Sequence, residues 1–362
     1  MTFSRIDLKI GPSYGIPNLY YQDQFTLAYV HPLLQNRNGF LDRFQYELKR
    51  FDIDFSEIQA LENQESFLAV SAIKFLEWVF LTEQEEIIRE RLNLSNEALS
   101  NTNKKRDANL VDEVDVLRAE DAVRIAKQNL VLVGSQWKGL QAELAVLSQN
   151  DELYNLVPEF TLYKIEALPS QDAAILQLKQ NSRLIQTIDI RIQQLEYSRL
   201  GYKETMKPRL SLLAQFNIKK ADKIFGDALG VDKPDIIGGL QFGVPLGNRT
   251  AKSQITKTDL QIAQLEKKRD ELTLDLVAAL TNLYIQIEEL KKILTLNKEQ
   301  IESARAKTAE EVRLYNQGRV DLAFVIQSQD GEQNAKLNYA MNALTYHKLL
   351  IKYRALTDAL YY

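Results

Sequence analysis

The chain has no cysteine and only two histidines, His31 and His347, in 362 residues. The first absence excludes thiol catalysis, cysteine-based zinc sites and disulfides, and it fits either the cytoplasm or the cell envelope. The second means that a histidine metal cluster or a Ser-His-Asp arrangement would have to be assembled from isolated, distant positions. There is no cation excess: 45 basic residues stand against 49 acidic ones, a formal net charge of -4, which gives no polybasic reason for a nucleic-acid partner. No run of about 18 apolar residues occurs, which excludes a transmembrane helix. A β-barrel span stays open, because its signal is only alternation. Met1-Thr2-Phe3-Ser4-Arg5 is not a signal peptide, since no apolar core of about 7–15 residues follows the first charge, so an exported form is expected to have had a leader.

Proline and glycine are scarce where it matters. Between Leu33 and Val157 there is no proline and only Gly39, Gly134 and Gly139; from Leu246 to Tyr362 there is no proline and only Gly247, Gly318 and Gly331. Such stretches can run as very long helices. Each follows a strand that ends in proline: Thr26-Leu27-Ala28-Tyr29-Val30-His31-Pro32-Leu33 and Gly239-Leu240-Gln241-Phe242-Gly243-Val244-Pro245-Leu246. A second matched pair, Asn109-Leu110-Val111-Asp112 and Gly318-Arg319-Val320-Asp321, lies at the far end of each stretch. The two pairs are offset by 213 and 209 residues, the mark of an internal duplication. From proline to turn is a rod of roughly 110 Å at about 1.5 Å per helical residue. In the second rod Ile262, Leu265, Leu272, Leu276, Leu283, Ile287, Leu290, Leu294, Ile301 and Ala304 recur by threes, fours and sevens, as in a coiled-coil seam. Asn109 and Gly318 are the residue types that best tolerate a left-handed backbone, so each is a natural place for the rod to reverse.

This pattern predicts a first β-hairpin over 1–32, a first long helical hairpin over 33–147, a connector with local strand over 148–170, a helix over 171–206, a second β-hairpin over 207–246 and a second long helical hairpin over 247–362. The strands alternate. Ile6, Leu8, Ile10, Pro12 and Tyr14 oppose Arg5, Asp7, Lys9, Gly11 and Ser13; Leu210, Leu212, Ala214, Phe216 and Ile218 oppose Ser211, Gln215 and Asn217, with Leu213 out of step. Partner strands offer Phe25, Leu27, Tyr29 and His31, and Ile236, Leu240, Phe242, Val244 and Leu246. The lipid-facing set expected from this alternation is Leu8, Leu27, Tyr29, Leu212, Phe216, Leu240 and Phe242. Tyr14, Tyr20, Tyr21 and Phe25 cluster near the first hairpin loop, at headgroup level for a barrel. The loop from Lys219 to Asp235, with Lys223 and Asp227, is polar enough for water. Two separate hairpins supply four strands with unpaired edges, which other chains would have to complete, and a trimer would bring twelve. The alternative is a soluble coiled-coil scaffold or structural protein whose hairpins cover one end.

Three pieces are the most specific: Lys207-Pro208-Arg209-Leu210-Ser211-Leu212 opening a strand, Gly239-Leu240-Gln241-Phe242-Gly243-Val244-Pro245-Leu246-Gly247-Asn248 closing the next, and Tyr315-Asn316-Gln317-Gly318 at the reversal. In this order the chain resembles the TolC-like outer-membrane efflux family, the outer membrane factors. The resemblance implies a mainly α fold with four transmembrane β-strands, long antiparallel helical hairpins forming an α-barrel, and a homotrimer closing a twelve-stranded β-barrel. It implies a passive duct of a tripartite efflux pump or type I secretion system in the outer membrane of a Gram-negative cell, extending into the periplasm. The implied partners are outer-membrane lipid, a periplasmic adaptor (membrane fusion protein) and an inner-membrane transporter, with no nucleic acid. The first helix of the family pattern does not precede the first strand here.

The adaptor-facing tip is expected at Asn109, Leu110, Val111, Gly318, Arg319 and Val320, the ends furthest from the strands. Family members often carry aspartates one turn apart at the tunnel mouth, where this chain has Phe324 and Gln327. Asp115 matches an aspartate of the pattern, and Asp112, Asp321 and Asp330 lie nearby. No catalytic residue, metal or cofactor is expected: Glu288-Glu289 and Glu310-Glu311 read as solvated rod surface, and no nucleotide loop or nucleophile with a base is present.

Overall fold

The computed structural model describes residues 2–8, 20–222 and 234–360. The expectations for Lys9, Ile10, Gly11, Pro12, Ser13, Tyr14, Lys223 and Asp227 lie outside the described residues, and for Ile6, Leu8, Tyr20 and Tyr21 the backbone alone is described. The elements are β1 (Thr2–Leu8), β2 (Tyr20–Pro32), α1 (Phe40–Asp107), α2 (Glu113–Ser148), α3 (Gln171–Asn181), α4 (Arg183–Thr205), β3 (Arg209–Asp222), β4 (Asp235–Gly243), α5 (Arg249–Asn316) and α6 (Leu322–Leu356). The chain divides into two units, Met1–Glu57 with Thr187–Arg269, and Ile58–Gln186 with Asp270–Tyr362. Among the described residues no helix is long and apolar enough to cross a membrane.

In the first unit the strands form one antiparallel sheet in the order β1-β2-β3-β4. The hairpins are therefore not separate, because β2 pairs with β3 from Tyr21↔Asp222 to Pro32↔Ser211. Among the described residues β1 and β4 are the edge strands. The register puts Leu27 opposite Phe216 and Phe216 opposite Ile236; His31 meets Leu212, Leu212 meets Leu240, and Leu210 meets Phe242. These residues share one face with Phe25, Tyr29, Ala214 and Ile218, since alternate strand residues point the same way. Leu213 stands on the other face, between Val30 and Gly239. Leu8 is a correction: it pairs with Tyr20, in step with Gln24 and Thr26, so its register position is on the face opposite Leu27 and Tyr29. The alternations of β1 and β2 are out of step by one residue, which is invisible until the strands are paired.

The helical part of this unit packs Phe40, Phe44 and Phe51 around Tyr197, with ring centroids 5.5, 5.5 and 6.1 Å away. Gly201 lets α4 pass under the Phe44 ring, where an added Cβ would lie 2.3 Å from ring carbon. The helices begin later than the prolines suggest. Asn36 and Asn38 hold positive φ before α1, as Gly247 and Asn248 do before α5. These left-handed residues turn the chain before a helix can start.

In the second unit the core joins Leu76, Val79 and Phe80 of α1, Leu280, Ile287 and Leu294 of α5, and Leu344, Tyr346 and Leu350 of α6. The seam positions Leu276, Ile287, Leu290 and Leu294 are buried, and Leu280, between them, is fully so. The connector contains a short 3-10 turn, Asp151–Asn155, and no strand; Leu162 anchors it in the core. Tyr346 Oη accepts from Glu166 N at 2.9 Å, and His347 Nε2 lies 2.9 Å from Leu162 O. The single helix expected over 171–206 breaks at buried Ser182. The reason is local: Arg183 N donates to Asp358, and the Arg183 guanidinium is ringed by Glu62, Glu65 and Asp358.

Candidate functional site at the helix reversals

Both reversals use the same backbone device. Asn109 (φ 56°) and Gly318 (φ 70°) are left-handed, and the next residue in each turn closes a wide loop: Leu110 N donates to Lys105 O at 2.8 Å, Arg319 N to Leu314 O at 3.0 Å. This is the Schellman arrangement, which satisfies carbonyls that a helix end otherwise leaves unpaired. The new helices start at Asp112 and Asp321, both extended. Asp321 caps its helix by accepting from Ala323 N at 2.7 Å; Asp112 makes no such bond.

The two turns meet at Tyr315, which is buried with Ala119, Leu322 and Val325. Thr102 Oγ1 lies 3.2 Å from its hydroxyl, Lys105 Nζ sits 3.4 Å from its ring centroid, and Lys105 also donates to Tyr315 O at 2.9 Å. The ammonium thus covers an aromatic face and the carboxyl end of α5, where cations are favoured. Burial lowers the Lys105 pKa. Burial first, then the charges of Asp115 and Asp321, raises that of Tyr315. Around this centre lies a cavity of about 550 Å³ reached by Asn109, Leu110, Val111, Asp112, Gly318 and Val320.

Outside the turn Arg118 bridges Asp115 at 3.2 Å and Asp321 at 3.3 Å, linking α2 to the start of α6. Further along, buried Arg91 donates to Asp330 at 2.7 Å, Gln329 at 2.8 Å and Ser95 at 2.7 Å. Of the residues expected at the tip, Asn109, Leu110, Gly318 and Arg319 are exposed, while Val111 and Val320 are half-buried. Asp321, Phe324 and Gln327 are exposed and share a helix face by their spacing of three. Asp115 is different: its side chain is only 16% exposed, turned toward Arg118. Asp112 and Asp330 remain largely in water.

Sequence reasoning missed Arg118, Lys105 and Thr102. Their roles depend on which helix lies opposite, and a helical repeat does not state its partner's rotation. Tyr315 was detectable as the aromatic in the last turn before a left-handed glycine. Among the described residues the acids that come closest to a metal-binding group are Glu62, Glu65 and Asp358, and the Arg183 guanidinium occupies the place a cation would take.

No protein-family model matches the sequence, and no curated protein matches it. Solved structures do. The outer membrane protein VceC of Vibrio cholerae aligns over 99% of this chain and 85% of its own, with 14% identity and a TM-score of 0.74. The MtrE outer membrane channel of Neisseria gonorrhoeae, in its open state, aligns over 99% and 80%, with 15% identity and a TM-score of 0.75. This chain has the fold of the TolC-like outer-membrane channels. A membrane protein from Pseudomonas aeruginosa shares it, at 13% identity and a TM-score of 0.77 over 98% of this chain and 80% of that one. At such identities the likeness speaks for the fold, which is mainly helical with few strands, and the side chains must speak for the rest.

Proposed function

We propose that this chain is one protomer of a passive outer-membrane efflux duct. Three copies would close a twelve-stranded barrel in the outer membrane and continue as a helical tunnel in the periplasm, with the reversals docking a periplasmic adaptor that links the duct to an inner-membrane transporter. The observation that carries this reading is the sheet. Tyr29 (61% exposed), Leu240 (70%) and Phe242 (67%) share one uncovered face with Leu27 and Leu212. In water such a face would be an association hazard, and its two open edges would leave backbone groups unpaired. In a bilayer the face suits lipid, while the edges must be closed by other strands, because each unsatisfied group there costs several kcal/mol. The likeness to outer-membrane channels supports the same reading. Among the described residues the buried charges Glu65, Arg91 and Glu332 are engaged in ion pairs, and energy for export would come from partners.

We infer that the mouth of the duct would lie at the reversals, where Phe324 on the exposed face of α6 would line the axis, and the Arg118 bridge between Asp115 and Asp321 would hold α2 to α6 while the mouth is shut. The test is the mass and shape of the detergent-extracted particle. A trimer about as long as barrel plus helical rod is expected; a well-folded, protease-resistant monomer would overturn the reading in favour of a scaffold.

A further inference from the structure

Where β4 hands over to α5, the apolar face of the sheet runs into positive charge, Arg249 and Lys252, that no described residue pairs. Phe242, Val244 and Leu246 are 67%, 51% and 95% exposed, a ledge that no described residue covers. Beside it lies an open cavity of about 590 Å³, lined by Tyr202, Thr205, Leu246, Asn248, Arg249 and Gln254 among others, with no carboxylate in its wall. Successive left-handed residues, Gly247 and Asn248, fix the rim, and Asn248 Nδ2 ties it to Met206 O at 3.4 Å. Arg249 and Lys252 stand in the first turn of α5, which holds no acid. The macrodipole disfavours cations there, so their presence calls for an anion from elsewhere. Nearby acids are engaged: Glu204 by Lys207 at 2.6 Å and Asp259 by Arg199 at 3.0 Å.

We propose that the β4–α5 junction binds the headgroup of an anionic phospholipid, with Arg249 and Lys252 on the phosphate and the Leu246 ledge against the glycerol and upper acyl chain. The inference rests on the outer-membrane reading and deepens it. An apolar surface meeting a cationic one at a single line is the complement of a lipid leaflet, where hydrocarbon gives way to phosphate over a few ångströms. A free phosphate would need the cations but has no use for Leu246. Binding here would also fix how deep the sheet sits, because the ledge and the cations can be satisfied together at only one height.

Full-length protein is reconstituted into vesicles of phosphatidylcholine, alone or with phosphatidylglycerol, and the lipids retained on extraction are counted by native mass spectrometry. Wild type is expected to retain phosphatidylglycerol over phosphatidylcholine. Arg249→Gln with Lys252→Gln should weaken that retention about thirtyfold, and Lys252→Gln alone about fivefold, given the usual contribution of one cation at a lipid surface. Lys257→Gln with Lys268→Gln, the same charge change further along α5, should leave it unchanged. Equal retention of both lipids by wild type, or an unaffected double variant, would overturn the site. Insertion into neither vesicle would bring down the outer-membrane reading itself, whereas insertion into both without preference removes only this inference.

Discussion

At the scale of the residue, position on the helix surface decides which side chains are free to act. Phe324 is 53% exposed, so within this chain it packs little. Three rings brought around a threefold axis would form an apolar constriction that gates by dewetting. Phe324→Ala should then raise single-channel conductance and leave the trimer's thermal stability nearly unchanged; a stability loss of about 3–5 kcal/mol with unaltered conductance would mark it as a packed residue between copies. His347 is the opposite case. It is 4% exposed, edge-on to Phe160 and Tyr346, and burial holds its pKa below the ordinary 6.5. The unfolded chain therefore takes up this proton first, so folded stability is lost as pH falls below about 6.5. The thermal midpoint should drop between pH 7.5 and 5.5 more steeply in wild type than in His347→Gln; parallel curves would show that His347 is not the group responsible. Histidine identity was plain in the sequence, but its burial was not, because the connector that covers it has no periodicity to read.

Among the elements, the long helices were the most legible, for their seam repeats over many turns and few prolines or glycines interrupt it. The reversals were legible for a different reason, which is that a left-handed position accepts few residue types. Gly318 has open space where a Cβ would go, so Gly318→Ala should cost about 1 kcal/mol from backbone strain alone. Asn109→Gly should be within a few tenths of neutral, since asparagine already tolerates that conformation. Denaturation midpoints of the two variants check the difference. What the sequence hid was pairing: the break at Ser182 comes from Arg183 meeting carboxylates far along the chain, and the position of Leu8 comes from register. The sheet face makes its own prediction. Leu240→Arg should block insertion into vesicles, as a cation on the lipid side costs about 2–4 kcal/mol near mid-membrane. Gln241→Arg, one residue on and facing the other way, should insert normally; equal insertion by both variants would argue against a lipid-facing sheet.

For the whole molecule, the native absence of cysteine is an experimental convenience, since any cysteine introduced is the only one. Leu110→Cys and Arg319→Cys should cross-link to a periplasmic adaptor in cells, while cysteines at Lys219 or Asp235 near the second strand loop should not. Cross-linking confined to the strand positions would reverse the assignment of ends. One further consequence concerns time. Glu65, 3% exposed, receives a hydrogen bond from Leu360 N, 295 residues away, and shares Arg183 with Asp358. A buried carboxylate without its partners is strongly unfavourable, so this part of α1 cannot close before Asp358 and Leu360 have been made. At about 5–20 residues per second, ribosomal synthesis separates the two by roughly 15–60 s. For that interval the growing chain carries an unfinished seam, which makes Asp358 and Leu360 its latch and the preceding apolar surface the natural client of a holding chaperone.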